Sequence, residues 1–204
     1  MKTIQIIMAI LSTSILMGQN VSEINSDLKI PDSLSHKSEI RIYQGGGTTT
    51  YSSVFVMFKD DSDKWSSHFY EHFNGLEPQV IKRQLIPISD SDFVFQNFIR
   101  SYALDLPTMS KINWKLEKRN DIIIDEGIDK RGKAFKKYYA SSTFSTTVDG
   151  KIFYVQVRAH NRNNSFSYSS PDYYLEEYPE VDELQFMCEI LQIVREEFNI
   201  WKTE

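Results

Sequence analysis

The chain has 204 residues, of which 41% are hydrophobic, 25% charged and 13% aromatic, and a formal net charge of −5. These values describe a folded protein and exclude a disordered tail or a collagen-like repeat; the single cysteine excludes a disulfide framework and any zinc site built from several thiolates. Overall acidity argues against general nucleic-acid binding.

In chain order, Lys2 opens a short positive segment, and Ile4 to Met17 is nearly all apolar. About fourteen residues at ~1.5 Å each reach only about 21 Å, short of a bilayer core of ~30 Å. The pattern predicts a secretory signal peptide over residues 1–18, with cleavage near Gly18-Gln19. No later stretch approaches 18 consecutive apolar residues, so the mature chain is expected to lack a transmembrane segment and to be secreted or periplasmic. Loss of Lys2 leaves 22 basic against 28 acidic residues, a net charge of −6.

Residues 19–38 are polar and poor in aromatics and read as a flexible leader, followed by a single domain over 39–204. Glu39 to Tyr43 alternates with period two, Gly45-Gly46-Gly47 follows, and Thr50 to Phe58 is rich in β-branched and aromatic residues. The spacing predicts a hairpin. The glycine run leads into a strand and is not followed by Lys-Ser or Lys-Thr, so it reads as a turn and not as a phosphate cradle.

Trp65, Phe69, Phe73 and Leu76 recur at three or four and predict a helix after the cap residues Asp60 to Asp63. This segment contains His68-Phe69-Tyr70-Glu71-His72. One helical turn apart, two imidazoles can hold one zinc with a nearby Glu as base. The string resembles the H-x-x-E-H motif of the inverted zinc peptidases. Over these five residues the resemblance implies a zinc-dependent hydrolase with His68 and His72 as ligands and Glu71 as base. Residues 140–155 contain no Glu for a third ligand. On a helix both histidines would flank the buried stripe, with Glu71 toward solvent. Packing at the core boundary is therefore the preferred reading, and the zinc hydrolase the alternative.

Val80 to Ile88 reads as a third strand. Ser89 to Asp92 caps a helix with the apolar face Phe93, Phe95, Phe98, Ile99 and Tyr102, ending before Pro107. A shorter helix is expected over Thr108 to Arg119. Lysines and arginines cluster over 111–137, and acids crowd Asp172 to Glu183. Such runs predict two solvated faces that attract each other, or a basic docking surface for an acidic partner. Lys137 to Val148 and Lys151 to Arg158, joined by Asp149-Gly150, predict a second hairpin. His160 to Pro171 reads as a polar, aromatic loop. Pro179 to Ile200 predicts a long amphipathic helix, with Cys188 on its apolar face.

The expected fold is α+β: one domain with a mostly antiparallel twisted sheet of about five strands and three to four helices packed on it. No complete catalytic set is legible. The expected function is that of an exported, non-catalytic binding module for a protein or glycan, without cofactor or metal. Its expected contact surface is Arg158, Arg162, Tyr168, Tyr173 and Tyr174, joined by the basic 111–137 region.

Overall fold

Six strands hydrogen-bond into one antiparallel sheet, in the order β10-β9-β1-β2-β3-β4. They are β1 (Ser38–Gly45), β2 (Tyr51–Lys59), β3 (Trp65–Phe73), β4 (Val80–Leu85), β9 (Ile152–Ala159) and β10 (Arg162–Ser169). The computed structural model describes residues 21–46, 50–147 and 150–202. The expected signal peptide, its cleavage site and Asp149 of the expected turn lie outside the described residues. The fold is the expected α+β single domain, with six strands in the main sheet where about five were predicted.

The β1–β2 hairpin forms as expected, with Ile40 opposite Met57 and Ile42 opposite Phe55. Gly46, at a φ of 127°, lies so close to the segment that enters the neighbouring strand β9 that a Cβ there would be 2.6 Å from the Gly150 carbonyl oxygen. One sheet face carries Ile40, Ile42, Phe55, Met57, Phe69, Phe153, Val155, Val157 and Phe166, all buried. Helices α2 (Ser91–Arg100) and α4 (Asp182–Phe198) cover it with Val94, Phe95 and Phe98, and with Leu184, Met187, Ile190, Leu191, Val194 and Phe198. Asp90 caps α2 by accepting a hydrogen bond from the Phe93 amide at 3.1 Å. Phe93 and Tyr102, expected on the apolar face, are exposed. A short helix α3 (Pro171–Glu177) joins β10 to α4, fastened by a bidentate Arg195–Asp172 pair at 2.8 and 2.6 Å.

The opposite face is also covered. Residues 21–28, part of the expected flexible leader, form a helix, α1. Its Ile24 and Leu28 are buried against Tyr43, Val54, Val56 and Tyr70. The chain then crosses the sheet as a strap over a buried ion pair, Arg41–Glu39 at 2.6 Å. Arg41 also donates to the Pro31 and Ser33 carbonyls, and Glu39 accepts the Ser35 and His36 amides at 2.8 and 2.9 Å. The leader looked flexible because its polar residues outnumber its apolar ones; those polar groups satisfy the sheet's buried charges.

Four further expectations are corrected. Residues 65–73 form strand β3, not a helix. Trp65, Phe69 and Phe73 are four apart, a spacing that fits a strand face as well as a helix face; only Leu76 broke the parity, and it lies exposed beyond the strand. The expected 137–148/151–158 hairpin does not form: β9 pairs with β1 and β10. The segment 160–171 is not a loop but mostly strand β10, entered through a two-residue turn in which His160 has a φ of 53°. Its Ser and Asn residues concealed it, because only Phe166 and Tyr168 face the core. The expected 108–119 helix is two 3₁₀ turns, Met109–Lys111 and Asn113–Lys115, and then strand β5 (Glu117–Arg119).

Outside the main sheet, β5 pairs with β8 (Ser142–Phe144), and β6 (Ile123–Ile128) pairs with β7 (Ala134–Tyr139). The two pairs are separate two-stranded sheets that follow one another along an extended arm, linked where the Asn120 amide donates to the Ser141 carbonyl at 3.0 Å. Both edges of the main sheet are protected. β4 exposes Lys82, Arg83 and Gln84, and residues 103–109 run along β10. There Asn164 donates to the Ala103 and Leu106 carbonyls at 3.0 and 2.9 Å, and Thr108 donates to the Ser167 carbonyl at 3.2 Å.

Candidate functional site

Residues four apart in a strand share a face but lie about 13 Å apart, at ~3.3 Å per residue. His68 and His72 therefore face α1's side of the sheet without sharing a site, and Glu71 faces the other way. The two-histidine zinc geometry expected on a helix is absent. Among the described residues, no group of three His, Cys, Asp or Glu side chains is placed to hold a metal ion. Glu71 pairs with Arg83 at 3.3 Å. The His68 ring sits between Phe58 and Tyr70, with its Nδ1 buried and without a hydrogen-bond partner among the described residues. Burial, reinforced by the charge of Lys82, lowers its pKa below the ordinary 6.5.

His72 is in a different environment. It is buried, its Nε2 lies 2.9 Å from Asp27 Oδ2, and its Nδ1 lies 3.2 Å from Ser52 Oγ. Gln79 holds the same Asp27 oxygen at 2.7 Å. Ser52 and His72 are direct cross-strand partners on β2 and β3, so the ladder itself sets the two side chains together. Asp27 comes from α1, in the region read as a leader, which is why local sequence patterns could not reveal the trio.

Ser52 and His72 line a cavity of about 260 Å³, whose walls include Val21, Ile24, Ile152, Tyr154 and Asn74. A wider groove of about 770 Å³ shares Val21, Ile152 and Tyr154 with it. The groove is bordered by hydroxyl and amide side chains, among them Ser22, Asn25, Thr108 and Gln156.

The predicted contact residues are not gathered into one surface. Tyr168 lies in the main core; burial pushes its pKa up, and its hydroxyl has no hydrogen-bond partner among the described residues. Arg158 is half-buried on the other sheet face, opposite Glu39 and Asn163. Arg162 pairs with Asp105 at the far end of β10. Tyr173 and Tyr174 meet edge-on, 5.4 Å apart, on α3. Cys188 is mostly shielded, and burial, reinforced by Asp172, pushes its thiol up to about 12, so it is poorly nucleophilic.

The basic 111–137 region is different. Its base meets the acidic C-terminal part, as Lys115–Glu183 at 2.6 Å and Lys118–Glu177 at 3.1 Å. Its outer part does not. Ile124 is 53%, Tyr138 64% and Ile128 73% exposed, and Ile122, Ile123, Tyr139 and Phe144 are exposed beside them. Ile124 faces Tyr138 and Ile123 faces Tyr139 across the β6–β7 ladder, so each ribbon face carries apolar side chains. Neither β6 nor β7 contributes to a buried core cluster. Comparison with known proteins finds no matching family model, no matching curated protein and no matching solved structure.

Proposed function

We propose that the chain is an exported protein-binding module whose contact element is the β6–β7 ribbon. The observation that carries this reading is the concentration of large exposed apolar side chains on an isolated two-stranded element. A lone two-stranded ribbon is marginal in water, and contiguous exposed apolar surface commonly marks an interaction site. Across the ribbon Lys136 pairs with Glu126 at 3.1 Å and Lys137 stands opposite Asp125, while Lys130, Arg131 and Lys133 crowd the tip against Asp129, which leaves the tip net positive. The partner is therefore a protein surface with an apolar centre and an acidic rim. Isoleucines suit such a surface better than a glycan, which is bound by hydroxyl and amide contacts and aromatic stacking. Export is supported by the charged, apolar and small-residue sequence at the N-terminus. Among the described residues no helix is long and apolar enough to cross a membrane.

Site-specific photo-crosslinking from position 138, in cells of the native source, tests the reading. A discrete adduct with a protein that contacts the ribbon through acidic residues is expected. The adduct should be lost in Ile124→Ser/Ile128→Ser and weakened by salt. Crosslinking only to a second copy of the chain, or recovery of the ribbon on anionic vesicles without a protein adduct, would overturn it.

A further inference from the structure

We propose that Ser52, His72 and Asp27 form a nucleophile–base–acid relay that hydrolyses small uncharged carboxylic esters bound in the adjoining cavity. The relay is independent of the ribbon. Asp27 accepts from His72 Nε2, which places the ring proton there and leaves Nδ1 as the acceptor that faces the Ser52 hydroxyl. The acid lies behind the base, and Ser52 lines the cavity, the order in which a serine nucleophile is activated. The two ring nitrogens have exchanged roles relative to the serine proteases, which hold the acid at Nδ1. Were His72 merely a pin between α1 and the sheet, Asp27 alone would satisfy that role. The second ring nitrogen meets a hydroxyl at the cavity wall.

The cavity selects the substrate class. Among its described lining residues the charged side chain is Glu23, and neither Lys nor Arg is present, so phosphate and carboxylate ligands gain no counter-charge. Val21, Ile24 and Ile152 provide apolar lining for a short acyl group, and Asn74 is among the polar residues that line the same cavity. A volume of about 260 Å³ suits a small ester and not a polymer segment.

In the first half-reaction Ser52 Oγ bonds to the ester carbonyl carbon as its proton passes to His72 Nδ1. The ester C–O bond then breaks, and the departing alkoxide takes that proton and leaves as the alcohol. In the second, water adds to the acyl carbon and gives a proton to Nδ1. The Ser52–acyl bond breaks, Oγ recovers the proton, and the carboxylic acid departs. One water is consumed per ester, and no oxidant or reductant is needed.

The test combines p-nitrophenyl acetate hydrolysis with fluorophosphonate labelling of the purified protein, read by intact mass and peptide mapping. Multiple turnovers and one label on Ser52 are expected. Ser52→Ala should lose the label and at least about 100-fold in kcat, and Asp27→Asn should lower kcat by a similar factor with KM little changed. Labelling of the unaltered protein does not depend on any variant folding. A folded protein that takes no label on Ser52, or hydrolysis that persists in a folded Ser52→Ala variant, would overturn the proposal and leave the trio as a clamp between α1 and the sheet.

Discussion

The six-stranded sheet and the arm built from β5 to β8 are both antiparallel, yet they are held by different means. Each face of the main sheet is shielded, one by α2 and α4 and the other by α1 and its strap. The outer ribbon carries Ile123, Ile124, Tyr138 and Tyr139 with little to cover them. The base of the arm alone is fastened, where Lys118 and Ser145 reach Glu177 at 3.1 and 3.3 Å and the Tyr174 hydroxyl donates to the Ser145 carbonyl at 3.0 Å. Strand pairing thus shapes both regions, but burial stabilises only one of them. A hydrophobic side chain contributes to folding in the sheet and is left available for association in the ribbon.

Substitution can break this contrast. The largest effect is expected for Phe55→Ala. Phe55 is fully buried, with its ring 4.7 Å from that of Phe198, so its loss should cost about 3–5 kcal/mol in denaturant unfolding. Glu39→Gln should cost about 3 kcal/mol by leaving Arg41 buried without its counter-charge.

Glu39 also carries a pH signature. Burial pushes its pKa up, but the His36 and Ser35 amides and Arg41 outweigh burial and hold it below the ordinary 4.5. Its contribution is complete above pH 4.5 and is lost as pH falls toward the folded value, and the Gln variant should lose that acid-side dependence. His68 acts over a higher window. With its pKa lowered, the unfolded chain takes up a proton first as pH falls below 6.5, so stability declines there. His68→Phe should flatten unfolding free energy against pH in that range, a smaller effect than either core substitution. A slope unchanged in the variant would place the titrating group elsewhere.

The smallest effect belongs to the ribbon. Tyr138→Ser should change unfolding free energy by no more than about 0.5 kcal/mol. Limited trypsin digestion should cut first at Lys130, Arg131 or Lys133, in the turn at the ribbon tip, before any site in the main sheet. A loss of several kcal/mol in Tyr138→Ser, or first cleavage in β1 or β9, would show that the ribbon is part of the cooperative core.

The sequence by itself determined the α+β class, the β1–β2 hairpin, the capped α2 and the amphipathic α4. In each of these, local chemistry and burial point the same way: alternation in a strand, Asp90 at a helix start, a helical stripe from Leu184 to Phe198. Tertiary structure decided the remainder. Trp65, Phe69 and Phe73 fit two periods, and only pairing of β3 between β2 and β4 selected the strand. The β9 strand gained apolar neighbours on both sides by pairing with β1 and β10, and this outweighed the local Asp149-Gly150 turn signal. Asp27, Ser52 and His72 are separated by 25 and 20 positions in the chain. Their meeting required both the β2–β3 register and the docking of α1, two non-local events that the pattern around each residue does not encode.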